Sequence, residues 1–391
     1  MKKKEQTLPF FLKEKLGSVG NSIFSVMTAM ANEAQAINMA QGFPDFSCDN
    51  ELQSLVYQYI QKGYNQYAPM PGVYELRTAL AGKIKELYGQ TFDPETEITI
   101  TAGATQAIFT AIQTFVHPDD EVIVFTPAYD SYVPAIDLAG GKPVYYQMVG
   151  PDFKIDWAKV KNLINSQTRM MIINTPHNPS GKVFTKEDLT ELERILKNTN
   201  IILISDEVYE HIVFDGKRHV SVCELPYLKE RSLVISSFGK VYHTTGWKIG
   251  YCYGPDYLMK EFRKVHQYNV FSVNTPIQYA YAAYLQYKEK YLSLSSFYQR
   301  KRDYFLDLIK DSAFTFKPAE GTYFQLLNYQ QLSEDNDVAF AEKLTRQFKI
   351  ASIPVSVFYH KKVQQHYLRF CFAKNDETLM KAAEILNNIK L

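Results

Sequence analysis

The chain has 391 residues, more than one hydrophobic core usually supports, and this length predicts one large domain with a smaller domain attached. Its 43 Lys and Arg residues nearly balance its 42 Asp and Glu residues, which removes the electrostatic case for a nucleic acid or another polyanion as partner. The four cysteines are scattered without a CxxC pair, so the sequence indicates neither a metal site nor a disulfide framework and favours a reducing compartment.

The N-terminal residues do not resemble a targeting segment. Lys2, Lys3 and Lys4 are followed by an apolar run at 8–12 that is too short, and too soon interrupted by charge, to be the core of a signal peptide. No apolar stretch approaches the length of a membrane span. We therefore expect a soluble, cytoplasmic protein with no membrane partner.

From about Glu97 onward, short β-branched runs alternate with longer helical patterns, which is typical of an α/β fold with a mostly parallel sheet wound by helices. The predicted strands are ITIT (98–101), EVIVF (121–125), RMMIIN (169–174), IILIS (201–205), LVISS (233–237) and IGYCYG (249–254). The segment AIFTAIQTFV predicts a helix between the first two. Strands this apolar are expected to be buried on both faces.

Beyond about Thr275 the pattern changes to a long helical stretch, then strands around 321–327 and 367–372, and a closing helix from Glu377. This change predicts a second, smaller α/β domain. We expect residues 1–44 to pack on the small domain and the cleft, residues 45–280 to form the large ligand-binding domain, and residues 281–391 to form the small C-terminal domain.

Small or polar residues follow each predicted strand, where ligands of an open parallel sheet bind. Gly103, Ala104 and Thr105 follow ITIT at a helix N-terminus, where free N–H groups and the helix dipole favour an anion such as phosphate. Tyr129 follows EVIVF, and Asn178 lies in the rigid turn after RMMIIN. Each of these residues alone is as well explained by packing or by turn formation.

Charged residues follow the next two strands. Asp206 comes directly after IILIS, and a carboxylate in that position must meet a cation, whether in an ion pair, at a helix cap or on a ligand. Lys240 follows LVISS between glycine and valine, and Lys248 lies in a second glycine-bounded patch. If both lysines point inward, each needs a partner, because a buried unpaired ammonium is too costly to keep.

One ligand satisfies these side chains together, namely a cationic aromatic ring that carries a phosphate and an aldehyde, as pyridoxal 5'-phosphate does. Its aldehyde would form an imine with Lys240, and its protonated ring nitrogen would pair with Asp206. Its phosphate would be held by the helix N-terminus, Ser237 and Lys248. The small apolar neighbours of Lys240 suit this reading, because an imine-forming lysine must be desolvated and unhindered.

Several segments together resemble a known family. TPHNPSG, SDEVYEH, SSFGKVYHTTGWKIGY and YLRFCFAK resemble the class I aminotransferases of pyridoxal phosphate fold type I, within them the methionine and kynurenine aminotransferase group. QGFPDF, NQYAPMPG, EGTYF and SVNTPIQ look most similar to the bacterial methionine aminotransferases. The resemblance runs from about Ser22 to the C-terminus and implies the fold and the cofactor of that family.

The resemblance also implies the roles of residues around the cofactor ring. Lys240 would be the cofactor lysine and the base that moves the α-proton of the substrate. Asp206 would fix the ring nitrogen, Tyr209 and Asn178 would bond the phenolic oxygen, and Tyr129 would stack on the ring. The implied phosphate ligands are Gly103, Ala104, Thr105, Ser237 and Lys248, the last standing where many members carry arginine.

Further residues are implied for the substrate and the assembly. Arg369 would bind the α-carboxylate, assisted by Asn178 and by the backbone near Gly42, while Phe24 and Phe43 would line the side-chain pocket. Tyr67 would reach the phosphate of the neighbouring subunit, which implies a homodimer with shared active sites.

The implied reaction moves the amino group of an amino acid to a 2-oxo acid. The stretch 268–274, expected to approach a distal carboxylate, contains no cation, which favours an uncharged side chain. We expect methionine and aromatic amino acids, including kynurenine, as donors, with aspartate poor. The alternative left open is a β-eliminating C–S lyase on the same fold, which shares the cofactor residues nearly one for one. A cofactor-binding regulatory protein is disfavoured because Lys240 is present.

Overall fold

Helices and strands alternate along most of the chain in the computed structural model, which describes residues 13–17, 19–361 and 363–390. The α-helices are α1 (Ile23–Ala34), α2 (Asn50–Gln61), α3 (Tyr74–Tyr88), α4 (Ala104–Phe115), α5 (Tyr132–Leu138), α6 (Trp157–Asn162), α7 (Lys186–Leu196), α8 (Pro226–Lys229), α9 (Phe238–Val241), α10 (Asp256–Asn269), α11 (Thr275–Tyr284), α12 (Glu289–Leu292), α13 (Leu294–Leu308), α14 (Asp337–Arg346) and α15 (Asp376–Asn388). Short 3-10 helices cover Val222–Glu224, Thr245–Trp247 and Val355–Phe358.

The strands of the described residues form one large sheet and two small ones. They are β1 (Ile37–Asn38), β2 (Ile98–Thr101), β3 (Glu121–Thr126), β4 (Lys142–Gln147), β5 (Thr168–Asn174), β6 (Ile202–Asp206), β7 (Ser232–Ser237), β8 (Gly250–Tyr253), β9 (Phe324–Asn328), β10 (Ile350–Ala351), β11 (Ile353–Pro354) and β12 (Tyr367–Cys371). The large sheet has the order β2-β8-β7-β6-β5-β3-β4.

The large sheet confirms the predicted α/β fold. Strands β4, β3, β5, β6 and β7 are parallel to one another, whereas β8 runs antiparallel to both β7 and β2. All six predicted strands of this region are present, but β4 was not predicted, because most of its residues are only partly buried and its pattern is not continuously apolar.

The central strands are buried on both faces, as expected. In β6, Ile202 and Ile204 belong to the apolar cluster that α4 and α10 cover, while Leu203 belongs to the larger cluster on the other face. Successive side chains of a strand point to opposite faces, so a strand covered on both sides must be apolar at nearly every position.

The predicted later strands are also present, in a three-stranded antiparallel sheet of order β11-β12-β9. Near the N-terminus, β1 pairs in parallel with β10. The closing helix is α15. The domain boundaries at 44/45 and 280/281 remain predictions, and residues 1–12, 18, 362 and 391 of the predicted domains, including Lys2 to Lys4, lie outside the described ranges.

The register of the large sheet brings the ends of its central strands together. Asn174 at the end of β5 lies opposite Asp206 at the end of β6, and Ser237 at the end of β7 lies opposite Gly250. A side chain at Gly250 would come within 2.9 Å of the Ala104 nitrogen, so glycine lets β8 approach the start of α4 closely. Within the described ranges, no helix combines the length and the apolar character needed to cross a membrane.

Candidate active site

A cavity of about 310 Å³ opens at the carboxyl ends of the central strands, where ligands bind in this kind of sheet. It brings together all but one of the predicted site residues. Those on its wall are Phe24, Gly42, Phe43, Gly103, Ala104, Thr105, Tyr129, Asn178, Asp206, Tyr209, Ser237, Lys240, Lys248 and Arg369.

Lys240 projects into this cavity from α9, directly after β7. Its Nζ donates to the Tyr323 hydroxyl at 2.9 Å and to the Gly42 carbonyl at 3.3 Å. The pKa of Lys240 is lowered to about 8, mainly by desolvation, and the nearby cations Arg369 and Lys248 act in the same direction. A fraction of its amine is therefore neutral near pH 7 to 8, as a nucleophile or base requires.

Asp206 is the last residue of β6 and is 5% exposed. Its carboxylate accepts a hydrogen bond of 2.5 Å from the Tyr132 hydroxyl and one of 3.3 Å from the Val208 amide. Desolvation raises the pKa of Asp206 to about 6, although the Tyr132 hydrogen bond acts in the opposite direction. In the described part of the chain no cation lies within 4.0 Å of this carboxylate, so a cationic ligand group would stabilise it.

Arg369 lies on β12 and is 1% exposed. Its two terminal nitrogens donate to Asn178 Oδ1 at 2.8 Å and to the Ala40 carbonyl at 3.0 Å, and its guanidinium lies 3.9 Å from the centre of the Phe324 ring. Its Nε is buried without a partner among the described residues. A buried guanidinium that faces only neutral acceptors is suited to bind a carboxylate through a bidentate pair.

The start of α4 is suited to bind an anion. Gly103 precedes the helix with φ +83° and gives no side-chain cap, so the first N–H groups of the helix are free of side-chain acceptors. A Cβ at Gly103 would lie 3.3 Å from Lys248 Nζ, which places this ammonium beside the helix N-terminus. Both lysines line the cavity, as expected of side chains that point inward, but Lys248 is exposed, with φ +56°, and Lys240 is partly buried.

Two tyrosines line the cavity between these charged groups. The Tyr129 hydroxyl lies 3.3 Å from Thr105 Oγ1, and its ring meets the Tyr132 ring edge-on at 5.7 Å. Tyr209 is 3% exposed, its ring meets that of Tyr323 edge-on at 5.2 Å, and burial raises its pKa above the ordinary value. Tyr209 therefore stays a hydroxyl donor at neutral pH.

Tyr67 is the predicted site residue that the structure does not bring into the cavity. It is 81% exposed, and its ring packs edge-on against Phe271 at 5.2 Å. Its predicted contact with the phosphate of a neighbouring subunit stays a prediction.

Several lining or supporting residues were missed by sequence reasoning, namely Gln41, Ile108, Tyr132, Asn174, Val208, Gly239, Thr245, Tyr323 and Phe324. Tyr323 and Phe324 lie in EGTYF and Gln41 lies in QGFPDF, two segments that already showed the family resemblance. No local pattern pointed to Tyr132, because its partner Asp206 lies 74 residues away in the chain.

The site residues fit pyridoxal 5'-phosphate. The free helix N-terminus with Lys248 and Ser237 suits its phosphate, and the buried Asp206 without a cation suits its protonated ring nitrogen. The amine of Lys240, with its lowered pKa, suits its aldehyde.

Comparison with known proteins supports the same fold and cofactor. The sequence pattern of the family "aminotransferase class I and II" matches residues 34–386. The chain is 46% identical to methionine aminotransferase of Escherichia coli over 97% of this chain and 99% of that protein. It is 33% identical to human kynurenine–oxoglutarate transaminase 1, over 93% of this chain and 94% of that protein.

Two solved structures that are similar to this chain are also those of aminotransferases. The crystal structure of an Escherichia coli protein whose reactivity identified a methionine aminotransferase function superposes with a TM-score of 0.96 at 46% identity, over 97% of this chain and 100% of that chain. N-succinyldiaminopimelate aminotransferase of Mycobacterium tuberculosis gives a TM-score of 0.93 at 34% identity, over 96% of this chain and 99% of that chain. The chain therefore belongs to the class I and II aminotransferases, enzymes of pyridoxal phosphate fold type I that use this cofactor to exchange amino groups between amino acids and 2-oxo acids.

Proposed function

We propose that this protein transfers the amino group of methionine, and of aromatic amino acids including kynurenine, to a 2-oxo acid acceptor. The observation that carries the substrate choice is the set of cations on the cavity wall. Among the described lining residues these are Lys240, Lys248 and Arg369. Lys240 and Lys248 are assigned to the cofactor, so Arg369 remains for the α-carboxylate and none remains for a second carboxylate.

The other walls of the cavity favour an uncharged side chain. Phe24, Phe43, Ile108 and Phe324 line it with aromatic and aliphatic carbon. A distal carboxylate buried there without a partner would cost on the order of several kcal/mol, which reduces the specificity constant about a thousandfold or more. An unbranched thioether adapts to aromatic walls and gains sulfur–ring contacts. The cost of burying each side chain therefore favours methionine over aspartate as the amino donor, but it does not distinguish methionine from an aromatic amino acid.

Resemblance supports methionine as the preferred donor. The Escherichia coli methionine aminotransferase is 46% identical to this chain, against 33% for the human kynurenine–oxoglutarate transaminase 1. Both relatives, and the mycobacterial enzyme, are named as transaminases, and this favours transamination over the β-eliminating lyase alternative.

The proposed roles rest on the family resemblance and agree with the position of each side chain on the cavity wall. Pyridoxal phosphate supplies, when bound, an electron sink that makes the α-proton of the amino acid acidic. Arg369 orients the amino acid by its α-carboxylate. Lys240 takes the α-proton, because its amine has a pKa of about 8 and lies in the same cavity. Asp206 holds the positive charge on the ring nitrogen, while Tyr209 and Asn178 donate to the phenolic oxygen.

We also propose a cytoplasmic homodimer with shared sites. Tyr67 and Phe271 pack edge-on and are 81% and 54% exposed, and Tyr268, three residues before Phe271 in the chain, is 88% exposed. Such exposed aromatic side chains are typical of an interaction surface. A second copy that covers this surface would place Tyr67 against the neighbouring site.

A donor panel with one fixed 2-oxo acid acceptor tests the substrate proposal. We expect the specificity constant to fall in the order methionine, aromatic amino acids including kynurenine, then aspartate. The matched control is Arg369→Lys, which should lower the constants of all donors by similar factors because they share the α-carboxylate. Aspartate ranking above methionine contradicts the proposal, and ammonia with pyruvate formed from cystathionine without an acceptor would establish the lyase alternative.

A further inference from the structure

Two buried carboxylates lie behind the active site in the turn that follows β6. In the segment 206–211, Asp206 and Tyr209 line the cavity, whereas Glu207 and Glu210 do not and are 1% and 7% exposed. Glu207 accepts hydrogen bonds from Ser205 and the Val222 amide and bonds the His219 ring. The turn that presents two proposed cofactor ligands is therefore held from its far side.

Glu210 receives four side-chain donors from three other parts of the chain. Oε1 accepts from Lys83 Nζ at 2.7 Å, the Tyr251 hydroxyl at 2.8 Å and Ser236 Oγ at 3.0 Å, and Oε2 accepts from the Tyr88 hydroxyl. Lys83 Nζ also donates to the Tyr251 hydroxyl at 3.0 Å. One carboxylate thus joins α3, β7 and β8 to the turn after β6.

Three residues of this network, Glu210, Ser236 and Tyr251, are sequence neighbours of residues at or beside the cavity. Glu210 follows Tyr209, and Ser236 precedes Ser237. Tyr251 follows Gly250, whose backbone lies against Gly103 and Ala104 at the start of α4. The network around Glu210 is therefore one residue away from Tyr209, a proposed ligand of the phenolic oxygen, and from Ser237, a proposed phosphate ligand.

Stability alone is a weak reason for an ion pair in this place. The side chains of Lys83 and Glu210 are 6% and 4% exposed, and well-packed apolar residues often replace such a buried pair without loss of stability. Desolvation would raise the pKa of Glu210, but Lys83 and the hydrogen-bond donors hold it below the ordinary value, so the carboxylate is charged. Desolvation and Lys83 lower the pKa of the neighbouring His211 to about 3. This imidazole is therefore neutral and does not form a second ion pair with Glu210.

We infer that Glu210 is a positioning residue for the cofactor. Its charge and its four donors hold Tyr209, Ser237 and the contact between β8 and α4 in fixed positions relative to one another. A charged acceptor imposes one arrangement on its donors, whereas a neutral amide lets the surrounding hydroxyls rotate and the backbone shift. The inference rests on the proposed cofactor roles of Tyr209 and Ser237.

Three variants separate positioning from stability. Glu210→Gln keeps the shape but leaves Lys83 buried without a counter-charge, so both stability and cofactor binding should decrease. The double variant Lys83→Met with Glu210→Gln removes both charges and should regain most of the lost melting temperature. Asp215→Asn is the control, because it removes one of the two carboxylate partners of the buried Arg302, the other being Asp303, and lies outside the cavity wall.

Three quantities are measured for each variant: the melting temperature, the dissociation constant of pyridoxal 5'-phosphate and the pH midpoint of its visible absorption. The double variant should bind the cofactor about tenfold or more weakly than the wild type, with a shifted midpoint, because small displacements of positioning groups have effects of this size. Asp215→Asn should lose melting temperature but keep the wild-type dissociation constant and midpoint.

A double variant with wild-type cofactor affinity and midpoint would overturn the inference, since the pair would then serve stability only. If neither Glu210 variant folds, Tyr251→Phe decides the matter, because it removes one donor and leaves both charges. It should raise the dissociation constant about threefold or more, and an unchanged constant overturns the inference. Failure of the wild type to bind the cofactor or to transaminate methionine would instead count against the proposed function.

Discussion

Most substitutions destabilise a protein, but a substitution of the buried Asp206 should have the opposite effect when the cofactor is absent. Replacing Asp206 with asparagine should stabilise the cofactor-free protein at neutral pH while it weakens the cofactor-bound enzyme. The reason is that this carboxylate is desolvated and lacks a cation among the described residues until a cationic ring nitrogen pairs with it.

The magnitude follows from the pKa of Asp206, which burial raises from its ordinary value of 3.8 to about 6. This difference corresponds to about 3 kcal/mol of destabilisation when the carboxylate is charged. The amide keeps a smaller desolvation cost of its own, so we expect the variant to gain about 1 to 3 kcal/mol in the free energy of unfolding.

The size of this destabilisation depends on pH. Above pH 6 the carboxylate is charged in the folded and unfolded states, and the full destabilisation is present. Below the unfolded value of 3.8 it is protonated in both states, and the destabilisation is absent. The gain of the Asp206→Asn variant should therefore be complete at pH 7 and small at pH 4.

Denaturant unfolding of the cofactor-free wild type and variant at both pH values, at one protein concentration, measures this gain. The same experiment with saturating pyridoxal phosphate should show a smaller cofactor-induced stabilisation in the variant. A cofactor-free variant that is no more stable than the wild type at pH 7, or that differs from it equally at pH 4 and pH 7, would contradict this prediction.

Other predictions concern catalysis and assembly. Lys240→Ala should abolish transamination with an unchanged circular dichroism spectrum, and retained activity in the folded variant contradicts its role. Arg369→Lys should raise the KM for methionine about tenfold or more because the bidentate fork is lost, and an unchanged KM argues against the clamp. Mixed dimers of the Lys240→Ala chain and an inactive Tyr67 variant should regain part of the activity, whereas a fully active monomer excludes shared sites.

The strands and the site residues that follow them could be predicted from local sequence, because each apolar run and its polar successor are adjacent in the chain. The direction of β8 could not, since the run IGYCYG is equally apolar in a parallel or an antiparallel neighbour. Nor could the pairing of Tyr132 with Asp206, which depends on the spatial order of β3, β5 and β6.

The charged residues show a similar limit. A lysine between small residues after a strand indicated that Lys240 points inward, and the structure supports this, since Lys240 lines the cavity and is partly buried. Lys248 also lines the cavity, but it is exposed, with its Nζ beside Gly103. Local composition does not encode how deeply a side chain that points inward is buried.

A turnover experiment without an acceptor tests most directly whether this chain is a methionine transaminase that uses Lys240. Excess methionine is added to the cofactor-loaded enzyme, and the 2-oxo acid and ammonia released per active site are quantified. We expect about one equivalent of the 2-oxo acid, no ammonia, and resumed turnover when a 2-oxo acid acceptor is added. Release of ammonia over many turnovers, or no 2-oxo acid from methionine at all, would contradict the proposed transamination.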